Sequence, residues 1–233
     1  MLELAGRFVP LVTPFTDDGS TLSEVRLARL VRFYLDRSVE GLALATETGE
    51  FGTLSQDERK QLLEWVCRAS HNALPVVANV STLSTSASLD LAQHAARHGA
   101  RAAVLIPPFF GAFSQSELLA HVQMVGAHAF LPIIVVDPQS RFSQDSIAAL
   151  THMPNVHLSW PESGQQETHA DWFRCYGLQV SPTFGIPDST DSDFMLRNRA
   201  AVTKTLLIDD DLEMGPPRMP VLPIPYQEIR SAA

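Results

Sequence analysis

Four carboxylates stand where short apolar runs give out: Glu47 and Glu50 follow Gly41–Ala45, Asp137 follows Pro132–Val136, and Glu162 follows Val156–Ser159. Carboxylates brought close together raise one another's pKa or share a divalent cation, so Glu47, Asp137 and Glu162 are candidates for acid/base or metal-assisted chemistry. A solvent-facing acidic rim is the plainer reading, because Asp and Glu favour water. His94 and His98, spaced i and i+4, offer two imidazoles on one helix face. No third ligand is indicated near them in sequence, so a structural role is expected and neither a metal nor a cofactor is assigned. His121 and His128, seven apart, read the same way. No glycine-rich phosphate loop and no serine–histidine–acid pattern is present.

The elements that must position these groups alternate. Apolar runs of strand length occur at Phe8–Thr13, Gly41–Ala45, Pro75–Asn79, Ala102–Ile106, Pro132–Val136 and Val156–Ser159, with Leu178–Ser181 as a seventh. Between them lie amphipathic stretches opened by Ser23, Ser55, Ser84, Ser114 and Ser143, each a predicted N-cap. Acidic residues occupy the first turn after the first, second, fourth and fifth of these serines. Repeated β/α units imply parallel strands joined by crossover helices, and a barrel is their commonest closure.

With 233 residues, 45% hydrophobic content and a net charge of −9, the chain is expected to form a single domain over 1–233, soluble and cytoplasmic. It carries no basic stripe for nucleic acid, no apolar run long enough to span a bilayer and no signal-like start. Cys67 and Cys175 are far apart and read as incidental thiols.

Several motifs make the barrel specific. Arg7–Phe15 contains L-V-T-P-F and is followed by Asp18-Gly19-Ser20; Thr48-Gly49-Glu50 precedes Thr53-Leu54-Ser55 and Glu58-Arg59. Pro107-Pro108-Phe109-Phe110, Pro132-Ile133-Ile134 and the closing Gly215-Pro216-Pro217-Arg218-Met219-Pro220 follow in register. Continuously from Arg7 to about Gly164, the chain resembles the dihydrodipicolinate synthase and N-acetylneuraminate lyase family, and it reads as a truncated, catalytically degenerate member. The resemblance implies a TIM-type (β/α) barrel. The stretch 165–197 is too short for the strand and helix the family has there, so about seven strands are expected, with 198–233 forming a shortened C-terminal helix and tail. An incomplete barrel leaves strand edges to be covered, and association with a second copy or with an intact relative is the physical expectation.

The same resemblance implies Schiff-base chemistry through a lysine on strand six, but this chain has Trp160 there. Its remaining lysines are Lys60 and Lys204, and its arginines cannot form an imine. Lys60 falls in Asp57-Glu58-Arg59-Lys60, read as a solvated first turn, and Lys204 in the helical stretch Asn198–Leu207; neither ends a strand. The family's proton-relay hydroxyls are replaced by Glu47, Phe110 and Val136, with Phe110 standing where a tyrosine crosses a dimer interface. What persists is the set that would hold a small carboxylate or 2-oxo acid: Thr48 and Gly49 in the turn after strand two, and Arg141 after strand five. The plain alternative is that Thr48 and Gly49 only make the turn and that Arg141 pairs with Asp137 or Asp145. Three readings follow: a structural or regulatory subunit, a small-acid binder, and a lyase or aldolase working through carboxylates.

Overall fold

The computed structural model describes residues 8–37, 39–71, 73–137, 140–159 and 199–231. Serine opens each of the first five helices for a chemical reason. The first amides of a helix lack carbonyl partners, and a serine oxygen just ahead of the helix can accept from one of them. Ser23, Ser55, Ser84, Ser114 and Ser143 accept from the amides of Arg26, Glu58, Ala87, Glu117 and Ser146. They begin α1 (Glu24–Leu35), α2 (Gln56–Ser70), α3 (Thr85–Arg97), α4 (Gln115–His128) and α5 (Gln144–Thr151). At Ser55 and Ser114 the third residue, Glu58 or Glu117, returns a bond to the serine amide and completes a capping box.

The strands are β1 (Phe8–Pro10), β2 (Gly41–Leu44), β3 (Val76–Asn79), β4 (Ala102–Leu105), β5 (Ile133–Val136) and β6 (Val156–Ser159). They pair in sequence order, every pair parallel, in one six-stranded sheet. Right-handed crossovers between successive neighbours place α1 to α5 on one face. Accordingly, α1 to α5 contact one another in order as an outer layer.

Both faces of the sheet are buried, and side chains alternate between two apolar clusters. Val9, Leu42, Leu44, Val76, Leu105, Ile133 and Val135 join the helices in the larger cluster. Phe8, Ala43, Val77, Ala102, Val104, Ile106, Ile134 and Val136 form the smaller, inner one. Such two-sided burial explains why the strands read as continuous apolar runs. The largest inner group, Phe8, needs Gly41 beside it, since a Cβ there would lie 2.2 Å from the phenyl ring.

Among the described residues β1 and β6 are sheet edges and the barrel does not close. The expected seventh strand Leu178–Ser181 lies outside the described residues, as do Trp160, Glu162 and Cys175. After them come α6 (Arg199–Leu207), a 3₁₀ turn (Ile208–Asp210) and α7 (Tyr226–Ser231), the shortened C-terminal part. Among the described residues no helix is long and apolar enough to cross a membrane.

Candidate active-site rim

The C-terminal ends of the strands are tied together by a buried polar network. Asn79, closing β3, donates through Nδ2 to the Ala45 carbonyl beyond β2 at 2.8 Å. Its Oδ1 accepts from the amide of Ser81 at 2.9 Å and from the Ser81 hydroxyl. Ser81 Oγ in turn accepts from the Ile106 amide beyond β4 at 2.7 Å. Arg59 of α2 then donates to the carbonyls of Ser81, at 2.9 Å, and Asn79. The expected solvated first turn is therefore corrected: Arg59 is only 8% exposed, and burial pulls its pKa down to about 10. Its tolerance of burial rests on those two carbonyls, which replace water around the guanidinium. Lys60 of the same turn pairs with Asp90 of α3.

The β2–α2 turn is similarly fixed. Thr13, beyond β1, donates to the Gly49 carbonyl at 2.6 Å, and Thr48 is buried. A Cβ at Gly49 would meet the Leu11 carbonyl oxygen at 2.9 Å, so the turn requires glycine for a close backbone approach. Glu50 adopts a left-handed conformation at φ 57° and buries its carboxylate. One oxygen meets Lys204 Nζ of α6 at 2.6 Å and the other accepts from the Arg218 amide at 2.6 Å. Lys204 also donates to the Pro216 carbonyl at 3.1 Å and lies over the Phe15 ring. Burial lowers its pKa, and the Glu50 carboxylate opposes that shift. Although Lys204 comes from a helix, its ammonium reaches a loop of the rim, where it is held in an ion pair.

Arg218 completes this tail clamp. Its guanidinium donates to Glu58 at 3.0 Å and to the carbonyls of Thr53, Ser20 and Gly19. A cleft of about 260 Å³, lined by Arg26, Lys204 and Met214 among others, separates the tail from α1.

The remaining predicted residues divide by environment. Val136 is buried in the inner apolar cluster, Glu47 is exposed, and Phe110 is 76% exposed in the β4–α4 loop beside the partly exposed Phe109 and Phe113. Phe109 packs edge-on against Phe51, linking that loop to the one after β2. Arg141 donates to the carbonyls of Pro108 and Gly111, so its guanidinium braces the β4–α4 loop. Asp137 is buried, and its Oδ2 accepts from the Phe142 amide at 2.9 Å. Its Oδ1 is buried without a hydrogen bond among the described residues. Glu47 and Asp137 come from strands separated by β3 and β4, one exposed and one buried.

Two of the histidines have structural partners: His121 Nδ1 meets Thr85 Oγ1 at 2.9 Å, and His128 Nδ1 meets the Met124 carbonyl at 2.9 Å. His94 and His98 differ. Glu64 of α2, too remote in sequence to register beside them, places a carboxylate oxygen 3.0 Å from His94 Nε2.

Sequentially ordered parallel strands under one layer of helices, with the loops after β2, β3, β4 and β5 on one rim among the described residues, define a barrel of the (β/α) class. Residues 3–159 match the model of the dihydrodipicolinate synthetase family, and the chain belongs to that family. The match ends at the residue before Trp160. The chain is 33% identical over 174 residues to N-acetylneuraminate lyase of Rhizobium meliloti, covering 74% of this chain and 56% of that protein. It is 32% identical over 158 residues to 4-hydroxy-tetrahydrodipicolinate synthase of Bradyrhizobium diazoefficiens, covering 66% of this chain and 53% of that protein. The chain thus spans about half the length of these curated relatives. Similar solved structures include a catalytic lysine mutant of Ruminococcus gnavus sialic acid aldolase, with TM-score 0.79 and 18% identity over 98% of this chain and 94% of that one. N-acetylneuraminate lyase from Mycoplasma synoviae gives TM-score 0.79 and 19% identity over 99% and 96%. At these identities the structural likeness establishes the fold.

Proposed function

We propose that this chain is a non-catalytic barrel protein, a structural or regulatory subunit that has lost the Schiff-base chemistry of its family and pairs with a second copy or an intact relative. The carrying observation is the state of the proton-relay positions: Val136 is sealed in apolar packing and Phe110 projects into solvent. Neither side chain can donate or accept a proton. Trp160, at the family's lysine position, supplies no amine. Lys204 is committed to Glu50, and an ammonium in a buried ion pair is a poor nucleophile. The exposed Phe109, Phe110 and Phe113 supply an apolar rim suited to a partner chain. Carboxylate binding through Thr48, Gly49 and Arg141 is less favoured, because the Arg141 guanidinium already serves two carbonyls.

The test is reductive trapping. Pyruvate with borohydride should leave the intact mass of the protein unchanged, and Trp160→Lys alone should not yield lyase turnover. A stable reduced adduct on the parent chain, or efficient turnover by the variant, would refute the reading. One observation favours a second reading, a lyase or aldolase acting on a 2-oxo acid through carboxylates: the buried Oδ1 of Asp137, which has no hydrogen bond among the described residues. Turnover that depends on a divalent ion and is lost in Asp137→Asn would establish it.

A further inference from the structure

On the outer helical layer, away from the rim, α2 and α3 bring together three metal-ligand side chains. Glu64 projects from α2; His94 sits in the last turn of α3 and His98 caps that helix. His94 Nε2 lies 3.0 Å and His98 Nε2 3.9 Å from the same oxygen, Glu64 Oε1, and the three ligand atoms fall within 4.8 Å of one another. The two imidazoles stack with centroids 4.2 Å apart. Nε2 of His94 is sealed from solvent yet makes no well-directed hydrogen bond among the described residues, despite its closeness to Glu64.

We propose that Glu64, His94 and His98 bind a divalent transition ion of the zinc class, clipping α2 to α3. A neutral imidazole that donates from Nδ1 presents a lone pair at Nε2. Here Nε2 faces the Glu64 carboxylate oxygen at 3.0 Å, and a metal ion held between the two would satisfy both, as a proton would. Zinc–nitrogen and zinc–oxygen bonds of about 2.0–2.1 Å put tetrahedral ligands roughly 3.3 Å apart. The observed 3.0 and 3.9 Å bracket that value. The nearby charge of Lys60 is balanced by its ion pair with Asp90. Glu64 and His98 are 44% and 41% exposed, leaving room for water to complete the coordination shell. An i, i+4 histidine pair on one helix with a carboxylate from its neighbour fits a tetrahedral ion better than calcium or magnesium, which favour all-oxygen shells.

The test uses the full chain, stripped of metal and titrated with Zn²⁺ against a chromophoric chelator, with Co²⁺ as a spectroscopic substitute. One equivalent should bind, and Co²⁺ should show visible bands of a low-coordinate nitrogen and oxygen site. His98→Gln and Glu64→Gln, both at partly exposed positions, should each weaken Zn²⁺ binding at least tenfold and abolish the Zn²⁺-induced rise in Tm. His152→Gln, an exposed histidine elsewhere, should change neither. Absence of binding at 100 µM Zn²⁺ by the parent chain, or unchanged affinity in both His98→Gln and Glu64→Gln, would overturn the site. Neither outcome bears on reductive trapping, so this proposal and the proposed function fail independently.

Discussion

Replacing Lys204 by Met separates the charge of the tail clamp from its packing. Methionine fills a similar volume and removes only the ammonium, leaving the Glu50 carboxylate without its cation. The side chains of Lys204 and Glu50 are 4% and 0% exposed, so solvent can do little to replace the lost partner. Breaking such a pair on one side costs about 3–5 kcal/mol. Two features place Lys204→Met near the lower end. Glu50 keeps its bond from the Arg218 amide, and the cleft beside Lys204 admits water. A loss of about 3 kcal/mol in a chain of this size lowers Tm by roughly 6–12 °C. Urea unfolding followed by tryptophan fluorescence, together with thermal melts, measures it. Glu50→Gln should be similarly damaging, and the double variant Glu50→Gln/Lys204→Met should be more stable than the sum of the two losses, because it leaves no unpaired charge. A cost below about 1 kcal/mol for Lys204→Met, or strict additivity in the double variant, would refute the claim that this ion pair locks the tail to the rim.

Other expectations follow from the same geometry. Arg59→Met should destabilise the protein by about 2–4 kcal/mol in urea titrations, since two strand-end carbonyls lose a charged donor inside the fold. Gly41→Ala should cost about 1–3 kcal/mol, because the added methyl collides with Phe8, and a compensating Phe8→Leu should recover part of that loss. Burial, augmented by Asp210 and opposed by Arg37, raises the Tyr34 pKa to about 12. The folded state therefore holds the phenolic proton more tightly than the unfolded chain. This contribution is complete below pH 10 and is lost as pH rises through about 12, so ultraviolet titration should show one late-ionising tyrosine that becomes ordinary in urea. Asp18, bonded by Thr16 and Ser20, has its pKa lowered to about 2, and a carboxyl NMR titration should find that midpoint displaced upward in Thr16→Val.

The fold was largely legible because its signals are local and periodic. A serine ahead of an amphipathic stretch must satisfy an exposed amide wherever it occurs, so all five predicted caps are found. The six strands within the described residues appear at their predicted places, the first five shortened by one to three residues where loop geometry takes over and the sixth unchanged. Side-chain partnerships were harder to read. Arg59 lies in a run of four charged residues, and nothing in that run says that one of them turns inward beneath Ser81 and Asn79. The Asn79–Ser81 pair was visible only as the end of a strand. Lys204 looked remote from the rim because the sequence separates it from Glu50 by most of the chain. Glu64 was invisible as a companion to His94 and His98 because its register is set by how α2 packs on α3, which has no periodic signature in either helix.

The tail clamp imposes an order of events during synthesis. Each strand of the sheet pairs with the one made just before it, so the sheet can grow as the chain emerges. The rim contacts of Arg218 are of another kind, bridging 160 residues to Glu58, 168 to Glu50 and 199 to Gly19. Until residue 218 is available, Glu50 lacks the Arg218 amide, and the loops after β1 and β2 lack the Arg218 guanidinium that bridges them. A nascent chain halted before that point would present an ordered sheet with an acidic, uncovered corner, the kind of surface that a chaperone would hold until the final turn of the chain arrived.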